Sequence, residues 1–221
     1  MNKLTFYEQV GIVIPGSVLL VGVLFYFPAF NALVAKDGVT LGQFGIFLLL
    51  SYAGGHFVAA IGNALETVFW RLLGGMPSDW VTRARGTSLL SEEQLLALQN
   101  RVRERLGITV TDLKGFDRKK WWPISRQIYA DVAKNGKPDR IDTFNGNYGL
   151  TRGLCAAGLV LTCIALTRGQ CEVAAGLLVL SLVFGYRAYR FGVLYGREVY
   201  LQFLVTTDAK KPPTKPQEPE V

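Results

Sequence analysis

Apolar residues along this chain are gathered into blocks instead of alternating evenly with polar ones. The longest block, Leu41 to Trp70, reads LGQFGIFLLLSYAGGHFVAAIGNALETVFW. A bilayer core of about 30 Å needs about 20 apolar residues at 1.5 Å each, so this block is long enough to cross. Val10 to Phe30, Gly153 to Thr167 and Ala174 to Tyr186 are three further runs without a charged residue. The pattern predicts an all-α polytopic membrane protein with four transmembrane helices and a small helical cytoplasmic insert between the second and third. The predicted division is 1–70 for the first helix pair, 71–140 for the insert, 141–206 for a second hairpin with an amphipathic extension, and 207–221 for a disordered tail rich in Pro and charge. The first apolar run is too long for a signal-peptide core, and no small-residue cleavage pattern follows it, so it is expected to stay in place.

Finer signals fall within these blocks. Phe6 and Tyr7 suit a headgroup-level lead, and 31–40 reads as a polar outer turn. Pro15 early in the first span predicts a kink, and Gly11, Gly16 and Gly22 permit close helix contact. In the second span Gly55, Ala59, Gly62 and Glu66 share a face, with His56, Ala60 and Asn63 beside it. Within the insert, Ser91 and Gln94 form a capping box for a helix over about 92–106 that Gly107 ends, with Leu95, Leu98, Val102 and Leu106 on one stripe. Ile108 to Val110 reads as a short strand. Pro123 suits the first turn of a second helix with Ile124, Ile128 and Val132 inward. A long helix is expected from Asp139 into the third span, and Arg187, Arg190 and Arg197 share a face where the fourth helix leaves the membrane.

Charge sharpens this picture. The formal net charge is +7, from 24 Lys and Arg against 17 Asp and Glu. Lys36 and Arg168 lie at the two outer tips, and almost every other cation falls in the N-terminus, the insert or the C-terminal region. That asymmetry follows the positive-inside rule and predicts both termini in the cytoplasm. It also makes direct nucleic-acid binding unnecessary to explain the basicity. The three cysteines, Cys155, Cys163 and Cys171, have no metal or redox spacing and read as small apolar filler.

Candidate chemistry is sparse. The chain lacks a Walker loop, a dinucleotide fingerprint and a nucleophile elbow, and its one histidine excludes a multi-histidine metal site in a single chain. Ser51 and His56 are five residues apart and do not share a helical face. No enzyme activity, cofactor or metal is therefore expected. His56 lies ten residues before Glu66, about 15 Å along the helix and so near the bilayer midplane. There it can bond another helix, line a water path or carry protons, with Asn63 and Tyr52 as pore or gate companions. Enclosing a pore would take several copies around an axis. Glu66 and Arg152 fall at matching depth with opposite charge and are expected to pair across the second and third spans. Arg101, Arg103, Arg105, Lys119, Lys120, Trp121 and Trp122 are expected to meet an anionic ligand or lipid. The Lys119–Trp122 cluster suits either an interfacial anchor or a nucleotide held by stacking and phosphate pairing.

The segments FYEQVGIVIPGSVLL, YAGGHFVAAIGNALE and FNGNYGLTRG resemble small multi-span membrane effectors of bacterial anti-phage defence systems. The resemblance implies an oligomeric bacterial inner-membrane effector, a gated channel or membrane-disrupting protein. Its cytoplasmic insert would take a trigger from a soluble partner or a nucleotide signal. The alternative is a non-conducting anchor or scaffold that recruits a soluble cytoplasmic partner. An intramembrane enzyme using His56 is a third reading, and it would need a substrate that the sequence does not reveal.

Overall fold

The computed structural model describes residues 9–27, 40–83, 85–136 and 138–206. Phe6, Tyr7, Lys36, the turn at 31–39 and the tail from 207 lie outside the described residues. The described residues are all-α and contain no strand. The helices are α1 (Ile14–Tyr26), α2 (Leu41–Leu72), α3 (Gly86–Leu89), α4 (Glu92–Leu106), α5 (Arg118–Asn135), α6 (Asp139–Thr167) and α7 (Cys171–Val205). The chain divides into two compact units, Met1–Pro77 with Arg140–Tyr195, and Ser78–Asp139 with Gly196–Val221. The second unit thus takes in the end of α7 as well as the predicted insert.

The first unit holds the long apolar helices. Those running from Leu41, Asp139 and Cys171 are each long and apolar enough to cross a membrane, whereas the apolar helix Gly11–Tyr26 is shorter. Of the apolar window in α6, 44% is buried, against 17% in those of α2 and α7, so α6 is the inner helix of the three. Large apolar side chains such as Leu49, Phe57, Val179 and Leu182 point outward from α2 and α7. That is the arrangement expected where acyl chains, not water, form the surroundings.

Small residues set the helix spacing. A Cβ on Gly16 would collide with the backbone of Ser51 and Gly55, and one on Gly55 would collide with the Ile12 carbonyl. Without a hydrophobic drive between helices in lipid, such close approach supplies dispersion contact instead. Leu19, Val58, Ala156, Ala157 and Leu161 continue the seam as a buried cluster. Gly22 faces Leu161, and Gly153 faces the Pro15 ring. Pro15 stands where the helical winding changes, in the first turn of α1 just after a π-type turn over Gln9–Val13. At the start of α2, Thr40 and Gln43 cap reciprocally, a T-x-x-Q signal that marks the helix start.

The second unit is a small helical core. The Ser91–Gln94 capping box is formed, and Gly107 closes α4 in the left-handed region at φ 67°. Trp80, Leu98, Val102, Ile128, Val132, Tyr200 and Phe203 are buried. The expected strand at Ile108–Val110 is absent. The Gln99 amide donates to the Val110 and Thr111 carbonyls at 2.7 and 2.8 Å, taking acceptors that a strand partner would have used. Arg197 does not snorkel. It donates to the Leu89 and Ser88 carbonyls at the end of α3, at 2.8 and 3.1 Å.

Gly55→Ile is expected to cost more than about 2 kcal/mol, because the side chain meets backbone that cannot move aside. Gly45→Ile, which enters open space, serves as the control. Thermal unfolding of the detergent-solubilised protein followed by circular dichroism measures both. In the second unit, Ser91→Ala is expected to lose about 1 kcal/mol with its cap, read as a lower denaturant midpoint.

Candidate functional site

Two features of the first unit carry polar chemistry at span level. One is a strip along α2. Ser51, Gly55, Val58 and Gly62 form its buried face. Tyr52, His56 and Asn63 lie about 100° further round, and all are exposed. The Tyr52 and His56 rings meet edge to face with centroids 4.6 Å apart. The Thr67 hydroxyl donates to the Asn63 carbonyl at 2.9 Å, which extends the strip by one turn. Among the described residues, the His56 imidazole and the Asn63 amide make no hydrogen bond. The strip therefore faces away from the chain's own core.

The other feature is an ion pair. The Arg152 guanidinium of α6 donates to the Glu66 carboxylate of α2, and the two side chains are 15% and 18% exposed. Gly62 leaves the space that the Arg152 stem occupies, since a Cβ there would meet Arg152 Cγ at 3.3 Å. The Arg152 guanidinium also lies 5.4 Å from the Tyr148 ring centroid. The Tyr148 hydroxyl bonds Glu66 and accepts from the buried Trp70 indole at 2.8 Å. Charges taken out of water need such company, because desolvation otherwise exceeds their mutual attraction. Phe69 and Trp70 pack on Tyr189 of α7 at 6.2 and 5.9 Å between centroids. Trp70 and Tyr148 were not singled out as site residues from the sequence. The signal was present, because an indole and a phenol at the end of apolar runs need hydrogen-bond partners when buried.

Beside this network a groove of about 700 Å³ opens between α2, α6 and α7. Its lining is almost wholly apolar or aromatic, and includes Leu65, Phe69, Leu159 and Tyr186 beside Glu66 and Arg152.

The basic candidates of the second unit separate into two groups. Trp121 is fully buried and cannot meet a headgroup or nucleotide. Its indole N–H is shared by the Ser78 carbonyl at 3.0 Å and the Tyr200 hydroxyl at 3.2 Å. Arg105 is likewise committed, pairing with Asp131 at 2.9 Å and donating to the Thr206 carbonyl at 3.1 Å. Arg101 bonds the same carbonyl and lies 3.9 Å from Glu104. These three are structural: Arg101 and Arg105 of α4 reach α5 and the end of α7, and Trp121 of α5 is held by Ser78 and Tyr200. Arg103, Lys119, Lys120 and Trp122 are exposed, and Arg126 sits 5.9 Å from the centre of the Trp122 ring. Cys155 is half-buried in the groove wall, while Cys163 and Cys171 are exposed and so do not fill a core. No cluster of metal-ligating side chains occurs among the described residues.

The chain matches no protein-family model, no curated protein and no solved structure.

Glu66→Leu alone strands Arg152 and is expected to cost about 3 kcal/mol. The double change Glu66→Leu with Arg152→Leu should recover most of that loss. A double-mutant cycle of thermal unfolding measures the coupling, and additive losses would mean that the pair does not hold the helices together.

Proposed function

We propose that this chain is a four-span inner-membrane protein, with both termini and the insert cytoplasmic, that assembles as a homo-oligomeric effector. It acts as a gated channel or membrane-disrupting protein of antiviral defence. The exposed strip of Tyr52, His56 and Asn63 on α2 is the observation that carries this reading. An imidazole and an amide at span depth are costly against acyl chains and belong against protein or water. The face of α2 that packs within the chain is elsewhere, so copies of the same strip around an axis would supply the polar surroundings. In that arrangement His56 and Asn63 line the water path and Tyr52 narrows it.

The fourth span of this reading is α1 with the turn before it. It runs along α2 at the Gly16–Gly55 contact and so shares its depth. The orientation rests on the distribution of Lys and Arg, which favours a cytoplasmic insert. A soluble partner or an anionic signal would act through the exposed Arg103, Lys119, Lys120 and Trp122. The role in defence rests on the resemblance of the three segments quoted above.

The test is single-cell membrane potential with a voltage-sensitive dye, in cells expressing wild type or His56→Ala at matched membrane levels. The wild type is expected to depolarise the cells, and His56→Ala to change the extent or threshold. Wild type that reaches the membrane, assembles, and leaves the potential intact in the presence of its trigger would favour the non-conducting anchor.

A further inference from the structure

We propose that the groove between α2, α6 and α7 is a phospholipid site, in which one acyl chain lies along the apolar wall and Arg190 meets the headgroup phosphate at the rim. This proposal stands whether or not the protein conducts ions.

The groove volume of about 700 Å³ lies in the range of sites that hold a small molecule. Its walls are Leu65 and Phe69 of α2, Leu159 of α6, and Leu182 and Tyr186 of α7. Gly185 leaves room in its wall, where a Cβ would sit 3.4 Å from Cys155 Sγ. The polar groups along the wall are engaged with one another, Glu66 with Arg152 and Trp70 with Tyr148. The groove therefore offers an occupant mainly apolar contact, which suits an acyl chain and not a water-soluble ligand.

Its position supplies the second argument. The three helices that form it are those long and apolar enough to cross a membrane. Leu65, Leu182 and Tyr186 are 40%, 65% and 59% exposed, so the groove opens on the outer surface of these helices, where lipid is the surrounding medium. Charge complementarity at the rim supplies the third. The Arg190 guanidinium is exposed and reaches the hydroxyl of groove-lining Tyr186 at 3.4 Å. An aromatic and an arginine together at one end of an apolar groove match a phosphate above an acyl chain.

Full-length protein would be reconstituted in nanodiscs of equimolar phosphatidylglycerol and phosphatidylcholine, extracted in mild detergent and weighed by native mass spectrometry. One retained phospholipid per chain is expected, enriched in phosphatidylglycerol. Gly185→Leu, whose side chain enters the groove, should lower retention about tenfold, while Val179→Leu on the outward face of α7 should not. Arg190→Gln should keep the lipid but lose the preference for phosphatidylglycerol. A second measurement uses the native groove. In protein carrying Cys163→Ser and Cys171→Ser, adding phosphatidylglycerol to the delipidated chain should slow maleimide labelling of Cys155 about tenfold. Wild type that retains no lipid, or Cys155 labelling that ignores added lipid, would overturn the proposal. So would Gly185→Leu that alters the subunit number while retained lipid is unchanged, an outcome that would give the groove to a second copy.

Discussion

The face of α2 made by Ser51, Gly55, Val58 and Gly62 constrains most of what surrounds it. Helices in a hydrocarbon medium gain little from hiding apolar surface, so they associate where backbones can come close. Only a face without bulk allows that, and α2 has one. Gly16 of α1 seats against Gly55, and the Arg152 stem of α6 against Gly62. Once that face is committed to neighbours, the helical repeat dictates where the remaining residues go. Tyr52, His56 and Asn63 lie about 100° away and end up outward. The polar strip is thus a consequence of the packing face, and its exposure follows from which side of the helix carries the glycines.

The ion pair depends on the same geometry. Glu66 stands one turn beyond Gly62, and Arg152 reaches it across the gap that Gly62 leaves. Tyr148 and Trp70 surround the pair with a ring face and hydrogen bonds, so that neither charge is left to a low-dielectric medium. Where the small residues continue onto α7 at Gly185, no side chain fills the space, and the groove results. Pair and groove are two outcomes of one spacing, closed by charged side chains on one side and left open on the other.

In the second unit the chemistry of basic and aromatic residues is divided between fold and surface. Arg105 is held by Asp131 and the Thr206 carbonyl, Arg118 by the buried Asp79 at 2.8 Å, and Trp121 by Ser78 and Tyr200. Each joins segments far apart in the chain. A guanidinium suits this work because its planar donors satisfy several acceptors at once. What remains outside, Arg103, Lys119, Lys120 and Trp122, is a smaller basic surface than the sequence suggests.

Local and periodic features were legible in the sequence. The apolar blocks, the Ser91–Gln94 box, the Gly107 stop and the small-residue face of α2 depend on neighbours within a few positions, and side-chain spacing encodes them directly. The Glu66–Arg152 contact was also within reach, because two opposite charges on adjacent apolar helices at matching depth have few other partners. Pairings over long separations were not legible. Nothing near Trp121 reveals that Tyr200 and the Ser78 carbonyl will enclose it, and nothing near Arg105 reveals Asp131 or Thr206. The strand expected at Ile108–Val110 is absent, and the Gln99 amide of the preceding helix holds the Val110 and Thr111 carbonyls instead. By itself the sequence determined the long apolar helices from Leu41, Asp139 and Cys171, the two main helices of the insert and the small face of α2, because backbone propensity and periodicity are local. Only the tertiary structure decided which basic and aromatic groups are buried, which polar strip faces outward and where a groove stays open. Those outcomes depend on contacts between residues tens of positions apart, and the chain makes them only once its helices are packed.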